Sequence, residues 1–434
     1  MIIEYSLFFM LKKILCFVLK ILAQATLWRY QPTIVGVTGS VGKTSTKEAI
    51  YAVLKSRYSV RRNIKNYNNE IGVPLTILGQ ETGGRSLGRW LQIFLVGFFE
   101  IFYNKNYPEF LVLEMGADRL GDIAYLTSFV KCQVGVVTAI GEIPVHVEFF
   151  QTVDQVAKEK SCLLHSLSSD GWAVINYDDE RVRLMTRRAS AKVFSYGFDE
   201  KADLRASQIE QHFDDLKEAG LSFKVDYQGN NVPMRLKNIY APHQVYSLLA
   251  AIATGLIYKM NLVEISQALM RLEMPIGRLR LMKGIKNTWL LDDTYNSSPS
   301  SALGALDLLE KMPGQRKIAV LGDMLELGSF TEEAHRKIGA RAAQVADILL
   351  AVGERAIFLA DEAKNSGLAE EKVFYFVSAQ EAGRALQQTM REGDLILVKG
   401  SQGLRMEKVV KEVMAEPDQA KELLVRQEES WENR

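Results

Sequence analysis

The chain has 434 residues, 47% of them apolar, and its 53 lysines and arginines offset 52 acids to a formal charge of +1. That length allows two or three domains with real cores, and near-neutrality argues against a polyanion-binding surface, so no nucleic acid partner is expected. Three cysteines, with no C-x-x-C pair, exclude a disulfide scaffold or zinc knuckle and fit a reducing cytoplasm.

Residues 5–28 are strongly apolar but broken by Lys12, Lys13 and Lys20. No charge-free run there reaches the roughly 18–20 residues of a spanning helix. Wound as a helix, the segment puts Lys13, Lys20 and Gln24 on one face and Phe8, Leu11, Leu15, Val18 and Leu22 elsewhere. That is the pattern of a short amphipathic helix lying in a membrane surface, peripheral at the inner face of the plasma membrane. Packing on the protein's own core or in a dimer is the alternative. A signal peptide cut near Ala23-Gln24-Ala25 is rejected, because lysines interrupt its apolar region and export would strand the phosphate site that follows.

Ile34-Val35 begins a strand, residues 36–44 read Gly-Val-Thr-Gly-Ser-Val-Gly-Lys-Thr, and Ser45 to Leu54 is helix-forming. Strand, glycine-rich turn and helix make a phosphate cradle, in which backbone N–H groups and the helix N-terminus face a polyphosphate. Lys43 would bridge the terminal phosphates of ATP, and the Thr44 hydroxyl would ligate Mg²⁺. Val37 stands where G-x-x-x-x-G-K-[ST] has its first glycine, which leaves the variant T-G-x-x-G-K-T.

Leu87 to Tyr103 is rich in aromatics and is expected as a buried helix, with addition to the membrane-facing patch as the alternative. Phe110–Leu113 is a buried strand ending at Glu114, whose carboxylate can reach a Mg²⁺ held by Thr44. Val134–Thr138 is a further strand, followed by His146 and Glu148 where a second metal could bind. Val153 to Leu167 reads as a helix containing Lys158, Glu159 and Lys160, on composition alone an exposed charged face. The strand Trp172–Asn176 completes an alternation that predicts a mostly parallel sheet flanked by helices. Residues 192–240 look antiparallel, and helices from His243 to Tyr258 and Leu262 to Leu272 close a central domain spanning 31–273.

Met274-Pro275-Ile276-Gly277-Arg278 is the expected linker. Beyond it Trp289–Leu291, Ile318–Leu321, Ile348–Val352 and Leu395–Val398 are apolar runs leading into Asp, Gly or Lys. They predict a second, doubly wound, Rossmann-like domain over 274–434, with polar groups at the carboxyl ends of its strands. The charged tail after about Val413 reads as a solvated helix or frayed end.

In this order the motifs resemble the Mur ligases, ATP-dependent amide-forming enzymes of peptidoglycan synthesis. The matching stretches include Thr38–Thr44, Asn68-Asn-Glu-Ile-Gly-Val-Pro-Leu75, Leu113-Glu-Met-Gly-Ala117 and Val156-Ala-Lys-Glu-Lys160. They continue with Asp292-Asp-Thr-Tyr-Asn-Ser-Ser-Pro299, Val320-Leu-Gly-Asp-Met-Leu-Glu-Leu-Gly328 and Val398-Lys-Gly-Ser401. The resemblance implies an α/β fold with a P-loop central domain and an acyl-phosphate mechanism, joining D-Ala-D-Ala to a UDP-MurNAc-tripeptide. It implies ATP contacts from Thr38, Gly39, Ser40, Val41, Gly42, Lys43 and Thr44, with Arg278, Asp293 and Asn296 reaching over and His243 and Gln244 beside the adenine. It implies two Mg²⁺ ions, on Thr44 and Glu114 and on His146, and carbamylation of Lys160 into a metal-bridging anion; Lys43, His146 and Lys160 are then the catalytic set. Gln244 and Ser247 stand where the family has asparagines, and Cys162 where it has a glutamate. Only residues 1–30 precede the phosphate-loop segment, which leaves no room for the UDP-gripping domain with which these ligases begin. A Mur-like ligase for another acceptor, such as a lipid-linked one, is therefore the alternative. A P-loop switch or transport ATPase is disfavoured, since neither Asn-Lys-x-Asp nor a Leu-Ser-Gly-Gly-like signature occurs.

Overall fold

The computed structural model describes the chain apart from residues 1, 65–66, 85, 142–146, 151, 429–430 and 432–434, and apart from the side chains of 2–9 and 147–148. Among the described residues, fifteen strands form two sheets. The first contains β1 (Thr33–Thr38), β2 (Val60–Arg62), β3 (Phe110–Glu114), β4 (Val134–Val137), β5 (Trp172–Asn176), β6 (Lys192–Gly197), β7 (Leu204–His212), β8 (Gly220–Tyr227) and β9 (Asn230–Lys237). Their order is β2-β3-β1-β4-β5-β6-β7-β8-β9, parallel as far as β7 and antiparallel from β7 to β9. The second contains β10 (Arg280–Gly284), β11 (Thr288–Asp293), β12 (Arg316–Gly322), β13 (Ile348–Val352), β14 (Val373–Phe376) and β15 (Asp394–Lys399), in the order β10-β11-β15-β12-β13-β14. Only its β10–β11 pairing is antiparallel.

Helices in chain order are α1 (Ile2–Tyr30), α2 (Lys43–Lys55), α3 (Gly72–Leu78), α4 (Leu87–Tyr103), α5 (Asp122–Phe129), α6 (Val147–Phe150), α7 (Val153–His165), α8 (Glu180–Met185), α9 (Pro242–Ile257), α10 (Leu262–Met270) and α11 (Pro299–Lys311), with further helices beyond. The parallel strands β1, β3 and β4 carry apolar side chains on both faces through their middles because helices cover both faces. α2 and α9 pack with Val35, Val37 and Val136 on one side, while α5 and α7 pack with Ile34, Leu113 and Val137 on the other. β1 lies between β3 and β4, so the chain diverges at its carboxyl end, where ligand crevices form in such sheets.

Three expectations are corrected. The α4 helix is not buried: Ile93, Gly97 and Ile101 face inward, but Leu91, Leu95, Phe98, Phe99 and Phe102 are all more than half exposed. In α1 the packed stripe is Leu19, Ala23 and Thr26, with Leu15 and Leu22 against Leu75, Leu78 and Ile93. Of the expected apolar face Leu11 is exposed, but the open stripe runs along Met10, Ile14, Phe17, Ile21 and Trp28. These recur at i, i+4, i+7, i+11 and i+18, one face of a helix. Both sides of this helix are apolar, so its sequence could not reveal which side the core claims. Finally, the tail is not frayed: Ala420, Leu424 and Arg426 are buried, the first two against Val409, Val410 and Val413. Among the described residues no helix is long and apolar enough to cross a membrane.

Candidate active site

The loop leaving β1 is bent by two glycines at positive φ. Gly39 has φ 147°, and a Cβ there would lie 1.9 Å from the Thr138 hydroxyl oxygen. Gly42, at φ 85°, caps α2 in the left-handed region. The loop is tied to its neighbours: Ser40 N donates to Ala139 O at 2.7 Å, the Thr138 hydroxyl to Val41 O at 2.6 Å and the Thr38 hydroxyl to Met115 O at 2.9 Å. The Thr38 hydroxyl and the Ser40 amide are thus engaged internally. The amides of Lys43 and Thr44 open the helix, where N–H groups have no intrahelical acceptor. Lys43 Nζ curls back onto Gly39 O (2.9 Å) and Ser40 O (3.4 Å), and burial lowers its pKa against the opposing pull of Glu114.

Glu114, at the end of β3, is 5% exposed. Asn63 brackets its backbone, accepting from Glu114 N at 2.7 Å and donating to Glu114 O at 2.8 Å. Asn68 donates to Oε1 at 3.2 Å, and Lys47 Nζ lies 3.9 Å from Oε2. Lys47 is itself buried, held by Asn63 O at 2.8 Å and Glu48 at 3.1 Å. Sequence reasoning missed Lys47 and Asn63. The signal for Lys47 was its position one turn beyond Lys43 on the same helix.

The charged run on α7 splits by side-chain direction. Lys158 is exposed, but Glu159 is buried and accepts from Gly121 N and Ile123 N, both at 2.7 Å, at the start of α5. Lys160 is 1% exposed; burial and the neighbouring Lys43 charge lower its pKa to about 7. His146 lies outside the described residues, as does the Glu148 side chain.

From the second sheet, Asp293 meets Lys399 across the β11–β15 register, Oδ2 to Nζ 2.6 Å, and also accepts from Leu279 N at 3.2 Å. Lys399 donates as well to Asn296 O at 3.0 Å, and Asn296 Oδ1 accepts from Gln402 N at 3.4 Å. Lys399 was quoted in a motif without a role; its cue was a lysine ending an apolar strand. The Arg278 guanidinium stacks 4.2 Å over the Tyr295 ring, and the Tyr295 hydroxyl lies within reach of Thr44 on the opposite wall of the cavity that both line.

Two adjoining cavities result. One of about 570 Å³ is bordered by His243, Gln244, Ser247, Tyr196, Asp293 and Lys399. His243 packs on the backbone of Gly304 in α11, where a Cβ would lie 2.9 Å from its Nδ1. Gln244 spends its side-chain oxygen on Tyr240 N (2.9 Å) and Ala241 N (3.0 Å), which caps α9. The other cavity, about 540 Å³, is bordered by Lys43, Thr44, Asn68, Glu114, Tyr295 and Asn296. Val41, Gly42 and Arg278 border both. Among the described residues, Ser40 Oγ, Glu114 Oε2 and Arg278 Nε are buried without a hydrogen-bond partner, and all three residues line the second cavity. A buried donor, hydroxyl and carboxylate oxygen left open around one cavity suit a phosphate and a cation.

A phosphate loop on one sheet facing a cationic wall from another defines a P-loop enzyme whose site is completed by its second sheet. The Mur ligase middle domain matches residues 37–87 and 96–255, and the Mur ligase, glutamate ligase domain matches residues 277–402. The chain belongs to the Mur ligase family, and it is an ATP-dependent ligase of the ADP-forming kind. It is 30% identical over 400 residues to the UDP-N-acetylmuramoyl-tripeptide–D-alanyl-D-alanine ligase of Bacillus subtilis, covering 91% of this chain and 79% of that one. The Escherichia coli ligase of the same name is 29% identical over 386 residues, covering 87% and 76%. The crystal structure of the MurF ligase from Thermotoga maritima in complex with ADP superposes with a TM-score of 0.74 at 25% identity, covering 92% and 83%. MurF from Acinetobacter baumannii gives 0.75 at 25% identity, covering 90% and 79%.

Proposed function

We propose that this ligase joins D-Ala-D-Ala to a UDP-MurNAc-tripeptide in cell-wall precursor synthesis, with residues 31–273 and 274–434 as its working domains. The observation that carries the reading is the likeness to ligases of that name over more than three quarters of their length, joined to a cavity with phosphate-binding groups on both walls. A carboxylate oxygen of the acceptor attacks the γ-phosphorus of ATP and the bond to ADP breaks. The amine nitrogen of the donor then attacks the acyl-phosphate carbon, a C–N bond forms, phosphate leaves and the amine proton is lost.

Positioning and charge neutralisation dominate such chemistry. Lys43 and the amides of Gly42 to Thr44 bind the phosphates, and Arg278 reaches them with its open Nε. Asp293 and Asn296 hold the nucleotide from the second sheet, and His243 and Gln244 flank the base. Thr44 and Glu114 would hold one Mg²⁺, and His146 a second, with Lys160 joining as its carbamate. The ions would neutralise the charge gathering on the transferred phosphoryl group.

In the assay, phosphate release is expected only when both UDP-MurNAc-tripeptide and D-Ala-D-Ala are present. Turnover with a lipid-linked tripeptide and not with the UDP form would overturn the acceptor assignment. ATP hydrolysis indifferent to every carboxylate and amine would overturn the reaction.

We also read the enzyme as cytoplasmic and resting on the inner face of the plasma membrane through residues 5–28. The open stripe of α1 and the neighbouring exposed stripe of α4 are apolar, and residues 10–30 carry Lys12, Lys13, Lys20 and Arg29 but no acid. That combination suits anionic headgroups above an acyl boundary. The full chain is expected to float with vesicles containing phosphatidylglycerol and far less with phosphatidylcholine alone. The exposed pair Phe17→Glu with Phe98→Glu should abolish flotation while leaving thermal unfolding unchanged; vesicle binding that survives it sinks the idea.

A further inference from the structure

The segment after Val413, expected as a frayed end, reaches the back of the catalytic loop. Arg426 is 9% exposed and sits at φ 58°, a left-handed conformation uncommon for arginine. Its Nη1 donates to Thr294 O at 3.1 Å and to Glu407 Oε2 at 2.8 Å, and its Nη2 donates to Tyr295 O. Glu407 is fully buried and also accepts from Arg405 Nε at 2.5 Å. Beside it, Val425 Cγ1 lies 3.2 Å from where a Cβ on Gly277 would stand, and Gly277 O accepts from Tyr295 N at 3.1 Å. The segment thus meets the loop that follows Asp293 and carries Tyr295 and Asn296, at the point where that loop touches the inter-sheet linker. Trp431, whose carbonyl accepts from Arg405 Nη1 at 2.6 Å, extends the same contact to the wall of the phosphate-side cavity. Arg405, Glu407, Val425, Arg426 and Trp431 all lie beyond residue 402, where the family match ends.

We propose that Val425 and Arg426 form a strap that fixes the Thr294–Tyr295 backbone, and that Arg426 is a positioning residue for nucleotide binding and phosphoryl transfer. It acts through Tyr295, whose hydroxyl reaches Thr44 and whose ring carries Arg278. A guanidinium suits the task because one planar group can serve two successive carbonyls and a carboxylate at once. Water could satisfy the two carbonyls, but it would not hold them at a fixed distance from the phosphate loop. The inference rests on reading this cavity as the ATP site.

The test uses the full chain with Arg426→Met, Arg426→Lys and Tyr295→Phe, measuring Mg-ADP affinity, kcat, KM for ATP and thermal unfolding. Arg426→Met is expected to weaken Mg-ADP and to lower kcat by roughly 10- to 100-fold, the scale of a small misplacement at a catalytic centre. Arg426→Lys should recover part of both, since an ammonium can hold one carbonyl. Tyr295→Phe, which keeps the packing and loses only the hydroxyl, should lower kcat with no change in unfolding temperature. Its effect should also fail to add to that of Arg426→Lys. A strap that is merely structural would lower the unfolding temperature of Arg426→Met and leave kcat and Mg-ADP affinity intact, which overturns the proposal. Should Arg426→Met not fold, unchanged kcat in Tyr295→Phe overturns it equally. A wild-type chain that binds no Mg-ADP removes the site reading itself, a different failure.

Discussion

Lys160→Ala is expected to cost at least roughly 10²–10³-fold in ligation, the scale of losing one preorganised electrostatic group, while the chain stays folded. The reasoning begins with an electrostatic conflict. Lys160 is 1% exposed, so burial disfavours its ammonium form, and the nearby Lys43 cation adds to the same effect. A buried ammonium group beside a second cation would be a costly arrangement if both stayed charged. A pKa lowered to about 7 leaves much of the Lys160 amine unprotonated near neutrality, the form that attacks CO₂. In that step the nitrogen lone pair forms the N–C bond, a C=O pair moves to oxygen and a proton is lost to solvent. The product is an anion beside Lys43, which turns the repulsion into attraction. Labelled bicarbonate should therefore give a carbamate carbon signal in the wild type and none in the variant. Acetate at high concentration should restore part of the variant's activity by filling the vacated space with a carboxylate. Full activity in Lys160→Ala, without acetate, would remove Lys160 from the reaction.

The groups that sequence made legible are those at the ends of apolar strands. Glu114 closes β3, Asp293 closes β11, and the phosphate loop follows β1. A continuous apolar run marks a strand buried on both faces, so whatever polar residue ends it must stand at the sheet's carboxyl edge. The weakly apolar edge strands did not announce themselves. Val60–Arg62 contributes three partly buried residues, two of them arginine, and Arg280–Gly284 is only partly buried; pairing with a neighbour defines both. Lys160 shows the same limit within a helix. In Lys158-Glu159-Lys160 composition suggests a solvated face, and only the packing of α7 turns two of the three inward. Gln244 shows a different limit: position placed it at the cavity, but its oxygen is committed to capping α9. The tail was misjudged because Arg426 reads as one more surface charge. Its partners are backbone carbonyls of a loop more than a hundred residues away, at Thr294 and Tyr295. Charge density in a sequence says nothing about such partners.

Glu114→Gln separates the roles of the same site most sharply. The substitution keeps the shape and removes one negative charge, so the backbone bonds to Asn63 and the packing of β3 are preserved. Lys47 loses an ion pair at 3.9 Å but retains Glu48 at 3.1 Å and the Asn63 carbonyl at 2.8 Å. Glu114 Oε2 has no hydrogen-bond donor among the described residues, so the carboxylate contributes little to stability through that oxygen. Keeping a buried charge so weakly satisfied is unfavourable for folding alone, and its retention is understandable where a cation is to be held. The unfolding temperature in the absence of metal is accordingly expected to stay within about 1–2 °C of wild type, since at about 2.1 cal/mol/K per residue roughly 1 kcal/mol shifts a chain of this length by about 1 °C. Ligation should fall by roughly 10²–10³-fold, and the Mg²⁺ concentration for half-maximal rate should rise. A variant that loses stability while keeping its Mg²⁺ dependence would make Glu114 a framework residue, with Lys47 as its structural partner. An intact fold with a displaced Mg²⁺ dependence identifies Glu114 as a group that the folded chain leaves open for the cation.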